Sequence, residues 1–259
     1  MWAIKIWRRI FKWQKNGKGK DYNLIGLLEF EGEYKNGEKW NGKANEYNLA
    51  GELETEVEYI NGKIIGKGKE YYDSGELLFE GEYLNGERNG EGNEYYKTGK
   101  LLFEGEYLNG ERNSKGKEYH KNGELIYEGE YKNDERWNGK GKEYNYYDEL
   151  IFEGEYINGK KNGKGKVYNF KDEGLAFEGE YLNNKINGKG KLYYNDKLKF
   201  EGEFLDGERN GEGKEYYGSG ELLFKGQFLN NEYWNGKGYT KDGMIDFQII
   251  NGSGKKKIL

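Results

Sequence analysis

The chain has no cysteine, no proline and one histidine, and nowhere in its 259 residues do the roughly 18 apolar residues of a membrane-spanning helix run together. Lack of cysteine excludes disulfides and thiolate zinc sites and fits a reducing, cytoplasmic compartment. Lack of an apolar run leaves nothing that spans a bilayer. Aliphatic residues are also scarce. With 34% hydrophobic residues, and Leu, Ile, Val and Phe together only 51 of the 259, the composition resembles that of a disordered chain.

What is present reverses that reading. The 25 tyrosines carry apolar area with a polar tip, so a folded body can be built from aromatics on a thin sheet. Charge is unevenly spread. Residues 1 to 20 hold seven basic side chains and no acid, and Lys255, Lys256 and Lys257 add three more at the other end. The body between carries 32 basic against 47 acidic groups, a net charge near −15, which argues against nucleic acid or an anionic membrane as its ligand.

Self-alignment is the most informative operation. The central glycine of the segment "FEGEY", or its equivalent, recurs at Gly32, Val57, Gly81, Gly105, Gly129, Gly154, Gly179, Gly202 and Gly226, in steps of 23 to 25 residues. Nine repeats thus fill residues 16–252, between a basic segment at 1–15 and a basic tail at 253–259. Each reads as two short strands and two turns. In the strand around Gly105, Phe103, Gly105 and Tyr107 share one face, while Glu104, Glu106 and Leu108 point the other way. In the following "KGKEY", Lys115, Lys117 and Tyr119 share a face opposite Gly116 and Glu118. Asn-Gly pairs supply the positive φ of tight hairpin turns. The pattern predicts an all-β, antiparallel meander of about nine 24-residue hairpin repeats. On one face, rings from neighbouring strands lie over glycines that lack a Cβ. The other face carries rows of Glu beside rows of Lys. A lone repeat buries too little to offset its ordering entropy, so stability must come from stacking neighbours.

The pattern F-x-G-x-Y-x-x-G-x-x-x-G-x-G, read at Phe79, Gly81, Tyr83, Gly86, Gly90 and Gly92, resembles the MORN repeat. It returns at Phe152, Gly154, Tyr156, Gly159, Gly163 and Gly165, and at Phe200, Gly202, Phe204, Gly207, Gly211 and Gly213. Two departures stand out: the family's usual tryptophan is Tyr or Phe here, and the period is slightly longer, closer to a bacterial variant. The resemblance implies an elongated, twisted, single-layer sheet bearing a groove. It also implies a non-catalytic scaffold: protein binding along the groove, self-association and, less directly, contact with anionic lipid. Chemistry, where family members have it, lies in attached domains.

The residues themselves hold no catalytic, cofactor-binding or metal-binding constellation. His120 stands where other repeats have Tyr96 or Asn145, which reads as a loop position. Carboxylate pairs such as Glu104 and Glu106 have the residue types of a glycosidase site, yet recur in almost every repeat as a charged sheet face would. The "GKGK" segments lack Walker spacing and a following helix, so no small-molecule substrate is implied. Three tryptophans, Trp40, Trp137 and Trp234, occupy the same loop at intervals of 97 residues, each within "WNG". Duplication of a four-repeat block explains the interval. Equally, the rings would form a spaced aromatic edge for a protein partner or a second copy. Sugar binding ranks third among the function classes, since the paired "WYY" signature of choline- and glucan-binding hairpins is replaced by "EYY" or "EYN".

The first 15 residues place Lys5, Arg8, Arg9 and Lys12 at helical spacing, with Trp2, Ile6, Ile10 and Trp13 opposite and Trp7 between. Such a basic, Trp-rich segment either caps the first repeat or tethers the chain peripherally to an anionic membrane. If it tethers, five basic side chains near the surface contribute about 1 kcal/mol each. Charge reversal at Arg8 and Arg9 is then expected to abolish flotation with anionic liposomes and leave the melting temperature unchanged. A variant that melts earlier, from a parent that never floated, would identify a cap instead.

Overall fold

The computed structural model describes residues 15–169 and 174–257. The basic head, with Trp2, Lys5, Ile6, Trp7, Arg8, Arg9, Lys12 and Trp13, lies outside the described residues. All regular structure among those described is β. The chain divides into two compact units, Met1–Glu124 and Leu125–Leu259. The first holds β1 (Gly17–Tyr22), β2 (Leu28–Lys35), β3 (Glu38–Tyr47), β4 (Leu53–Ile60), β5 (Lys63–Tyr71), β6 (Leu77–Leu84), β7 (Glu87–Tyr95), β8 (Leu101–Leu108) and β9 (Glu111–Tyr119). The second holds β10 (Leu125–Lys132), β11 (Glu135–Tyr144), β12 (Leu150–Ile157), β13 (Lys160–Tyr168), β14 (Leu175–Leu182) and β15 (Lys185–Tyr194). It continues through β16 (Lys197–Leu205), β17 (Glu208–Tyr216), β18 (Leu222–Leu229), β19 (Glu232–Tyr239), β20 (Ile245–Ile250) and β21 (Ser253–Lys257).

Within each unit every strand pairs antiparallel with the next, as the hairpin reading requires. The tight turns use the expected residues: Asn85 and Gly86, between β6 and β7, have φ of 55° and 90°. Part of the basic tail joins the sheet, since β21 pairs with β20.

Apart from Ala44, Val57, Ile126 and Ile249, the buried side chains are rings, set in one row per unit. Phe79 is fully buried although it lies on the face of a sheet, and three contacts enclose it. Beneath it, a Cβ added to Gly81 or to its cross-strand partner Gly92 would lie 2.5 or 2.6 Å from the ring, so only glycine fits at either position. At its edges, Tyr83 and Tyr107 meet it in T-shaped contacts with centroids 5.8 and 5.2 Å away, the favourable geometry for two quadrupoles. Above it lies the guanidinium of Arg88, 4.1 Å from the centroid, where the negative face of the ring attracts a cation.

This arrangement repeats with a variable cover. Arg112 covers Phe103, Lys161 covers Phe152, and Tyr233 stacks on Phe224 at 3.9 Å. Each ring lies over the glycine two residues later in its own strand and also over the facing glycine of the next strand: Gly92 receives Phe79 and Tyr107 from its two neighbouring strands, as the sequence reading expects, while Gly81 receives the ring of its own strand. Alternate residues share a face, and the ring folds back along its own strand over the bare Cα.

That geometry explains the repeat in which Val57 replaces glycine. Its own ring position holds Thr55, so the space that phenylalanine would fill is free for valine. Val57 is buried with Phe30, Tyr34 and Ala44, and Ile64 packs against that cluster. The glycine-to-glycine pairing is absent there, and register shifts between Glu56 and Tyr59.

The cations covering the rings are themselves bonded. Arg88 donates from Nε and Nη2 to Glu70, at 2.9 and 2.6 Å, and from Nη1 to Glu94 at 3.2 Å. Arg112 also bonds Glu94, and the hydroxyl of Tyr107 donates to Glu94 at 2.7 Å. Burial alone would raise the Glu94 carboxyl. The bonds from Arg112 and Tyr107, with Arg88 nearby, outweigh it and hold the group below its ordinary value.

A methyl group at Gly105 would meet Lys115 O at 2.6 Å, Gly116 Cα at 2.7 Å and the Phe103 ring at 2.7 Å. Gly105→Ala is therefore expected to lower stability by about 1–3 kcal/mol, through overpacking against backbone. Thr55→Phe should destabilise the Val57 repeat in the same way, and adding Val57→Gly should restore it. Denaturant titration of the two single variants and the double variant tests both statements, and additive losses in the double variant would refute the pairing of ring and glycine.

Candidate functional site

The face opposite the rings carries the charges and, in each unit, a groove. In the second unit the groove has a volume of about 970 Å³ and runs across β10 to β18. In the first unit it is about 520 Å³, across β3 to β7. The floor is glycine backbone, because a residue such as Gly154 lies between Glu153 and Glu155, whose side chains form two rails.

The two glutamates of each "EGE" hold different partners. The inner one takes a tyrosine and a lysine from the next strand. Glu153 accepts from the Tyr168 hydroxyl at 2.7 Å and from Lys166 Nζ at 3.2 Å. Glu178 does the same with Tyr193 and Lys191, and Glu201 with Tyr216 and Lys214. Hydrogen bonds to the charged form keep these carboxyls below their ordinary value, first from Tyr168 for Glu153, Tyr193 for Glu178 and Lys214 for Glu201. Desolvation and the facing carboxylates push the same tyrosines upward.

The outer glutamate turns to backbone. Glu155 accepts the amide N–H of Lys164, Glu180 that of Lys189, and Glu203 that of Glu212, each at 3.0 Å. Glycine at the bulge makes room. Gly163 has φ of 86°, and an added Cβ would lie 2.1 Å from the Glu155 carboxylate. Where the loop carries its extra residue, an asparagine amide replaces the backbone donor, as Asn138 does for Glu130 at 2.7 Å.

Because the outer acids turn away, the lysines across from them are left over. Lys140 stands opposite Glu155, Lys164 opposite Glu180 and Lys189 opposite Glu203, yet none of these ammoniums has an ion pair among the described residues. Beyond that rail, at the turn edge, runs a row of exposed aliphatics: Ile157, Leu182, Leu205 and Leu229 in the second unit, Ile60, Leu84 and Leu108 in the first. Sequence reasoning placed Leu108 on this face but missed the row. Its signal was available, since an aliphatic follows "EGEY" in most repeats.

The three tryptophans lie at the turn edge, each against the next turn. The Trp40 ring is 3.1 Å from the Cβ position of Gly62, Trp137 is 3.6 Å from that of Gly159, and Trp234 is 2.8 Å from that of Gly252. The carbonyl of each tryptophan accepts the N–H of the same glycine, at 2.8 to 2.9 Å. Trp40 and Trp137 are half-buried, with Lys35 and Lys132 over their rings, and Trp234 is exposed. They are thus fixed to the scaffold at its edge, with Trp234 the exposed one of the three. Among the described residues no cluster of His, Cys, Asp or Glu has the geometry to hold a metal ion.

Comparison with known proteins gives one informative result. The family model described as MORN repeat matches residues 58–76, 79–100, 103–124, 127–144, 152–168, 177–199 and 200–221. No curated protein matches the chain. Solved structures titled "Crystal Structure of TcdB2-TccC3-Cdc42" and "Crystal Structure of TcdB2-TccC3" are similar over 89% of this chain, at 14% and 12% identity, with TM-scores of 0.20 and 0.23. The chain spans only 13% and 14% of those much longer chains.

Glu70, Glu94, Glu153, Glu178 and Glu201 all have folded-state values below the ordinary 4.5. A carboxyl lowered by folding stabilises fully above its unfolded value and loses that contribution as pH falls through its folded value. Stability against denaturant is therefore expected to hold from neutral pH down to about 4.5 and to fall below it. Glu94→Gln should show a lower plateau and a shallower acid limb. An unchanged acid limb in that variant would mean that Glu94 does not contribute to it.

Proposed function

Because the chain belongs to the MORN-repeat family, we propose that it is a non-catalytic scaffold whose charged-face groove receives protein and whose tryptophan edge offers a second contact. The observation that carries this reading is the groove with its border of exposed aliphatics and unpaired lysines. A surface that is apolar along one line and cationic beside it suits a protein chain better than a small polar substrate. Trp234, 37% exposed, is the most open of these three tryptophans. A cytoplasmic setting fits the absence of cysteine.

A second reading, peripheral attachment to anionic membrane through residues 1–15, rests on the charge split of the sequence. The liposome experiment on Arg8 and Arg9 tests it separately.

Leu182 and Leu205 are about half exposed, at 48% and 52%, so Leu182→Glu with Leu205→Glu should leave the melting temperature within about 1 °C of the parent. The same double substitution is expected to abolish capture of proteins from a lysate of the source cell by the immobilised chain. Retention of the same proteins at the same level would refute the groove as their binding surface.

A further inference from the structure

Two lines of side chains run side by side along the outer rail of the second unit, one cationic and one aliphatic. Lys140, Lys164 and Lys189 stand opposite Glu155, Glu180 and Glu203, and Ile157, Leu182 and Leu205 follow two residues after those glutamates on the same face. The three glutamates turn to backbone amides at the bulges, so the ammoniums keep no carboxylate of their own among the described residues. All six of these cationic and aliphatic side chains are exposed.

The sheet does not need lysine at this position. Glu91 in β7 and Glu212 in β17 occupy it with the same kind of pairing, Glu91 opposite Glu106 and Glu212 opposite Gln227. The run of three lysines is therefore a surface property, not a packing requirement, and Glu212 ends it.

Both lines repeat once per hairpin. Two strands at about 4.7–4.9 Å each set successive lysines, and successive aliphatics, about 9.4–9.8 Å apart. Along the strands the two lines are two residues, or about 6.7 Å, apart. A polyproline II segment has three residues per turn and a rise of about 3.1 Å, so every third side chain returns to the same edge after about 9.3 Å. Its misfit to the sheet is about 0.3 Å per hairpin. A β-strand covers a similar distance in three residues but turns successive third residues to opposite faces. An α-helix returns to one face after seven residues and about 10.5 Å, a misfit about three times larger.

We propose that this rail binds an extended acidic peptide in the polyproline II conformation, one carboxylate per turn on Lys140, Lys164 and Lys189 and one apolar side chain per turn on Ile157, Leu182 and Leu205. The inference rests on the scaffold reading and gives the chemistry of its protein partner. Three turns correspond to about nine residues. The third edge of the peptide faces water, so proline is accepted there and preforms the conformation. Opposite charge selects the register, and the aliphatics supply burial.

Fluorescence anisotropy of labelled synthetic peptides with the full chain tests the match of periods. Three copies of Glu-Leu-Pro are expected to bind. A peptide of the same composition with its glutamates grouped together, and one with lysine in place of glutamate, should each bind more than about tenfold more weakly. Lys164→Gln with Lys189→Gln should weaken binding by a similar factor and leave the melting temperature within about 2 °C of the parent. Glu212→Lys adds a fourth lysine beside the exposed Leu229, so it should tighten the binding of four copies of Glu-Leu-Pro more than that of three. Added charge without register would tighten both equally. Absence of binding, binding that follows charge and ignores spacing, or an equal gain for both lengths would each overturn the proposal. If the peptides fail while capture from the lysate still depends on Leu182 and Leu205, the groove reading stands and only this class of ligand is refuted.

Discussion

The fold depends on a ring placed flat on a pair of glycines. A sheet of one layer has no second layer to bury its side chains, so each phenylalanine must be enclosed by what the sheet itself provides. Two facing glycines remove the Cβ atoms that would lift the ring, tyrosines close its edges, and a side chain from the next strand covers its outer face. The cover position holds Arg88, Lys161 or Tyr233 in different repeats, which shows that the requirement is a lid and not a particular charge. Once the lid is an arginine, however, its charge needs an acid. Glu70 and Glu94 and the tyrosine hydroxyls form a polar lattice over the rings, with Arg88 bonded to both glutamates.

Turning the aromatics to one side leaves the other for charge. There the same glycines, lacking side chains, become a floor, and the residues beside them become rails. Inner glutamates are satisfied by lysine and tyrosine, outer glutamates by amides at glycine bulges, and the lysines between are freed. Each such exposed pair contributes only about 0.2–1 kcal/mol, so the rails add little to stability one by one. Their greater consequence is a patterned electrostatic surface next to an aliphatic border.

Much of the architecture was legible because it is local. Period-2 alternation separates Phe103, Gly105 and Tyr107 from Glu104 and Glu106 whatever the neighbours do, and Asn-Gly pairs such as Asn85 and Gly86 form hairpin turns from their own backbone preferences. The Val57 repeat was legible only in part. Its tolerance was evident, but its cause, a threonine at the ring position, needed the knowledge that the ring lies over its own strand. The aliphatic row was missed for a related reason: one leucine per repeat carries no periodic signal until strands are set side by side.

By itself, then, the sequence determined the repeat, the two faces and the turns, since these follow from alternation and from residues adjacent in the chain. Only the tertiary structure decided how identical residues divide their roles. Glu153 and Glu155 occupy equivalent positions on either side of Gly154, yet one binds Tyr168 and Lys166 and the other the amide of Lys164. The bulge between β12 and β13 shifts register beyond Gly154, so the two carboxylates face different groups. That shift is set by pairing between strands, which a motif of three residues does not contain.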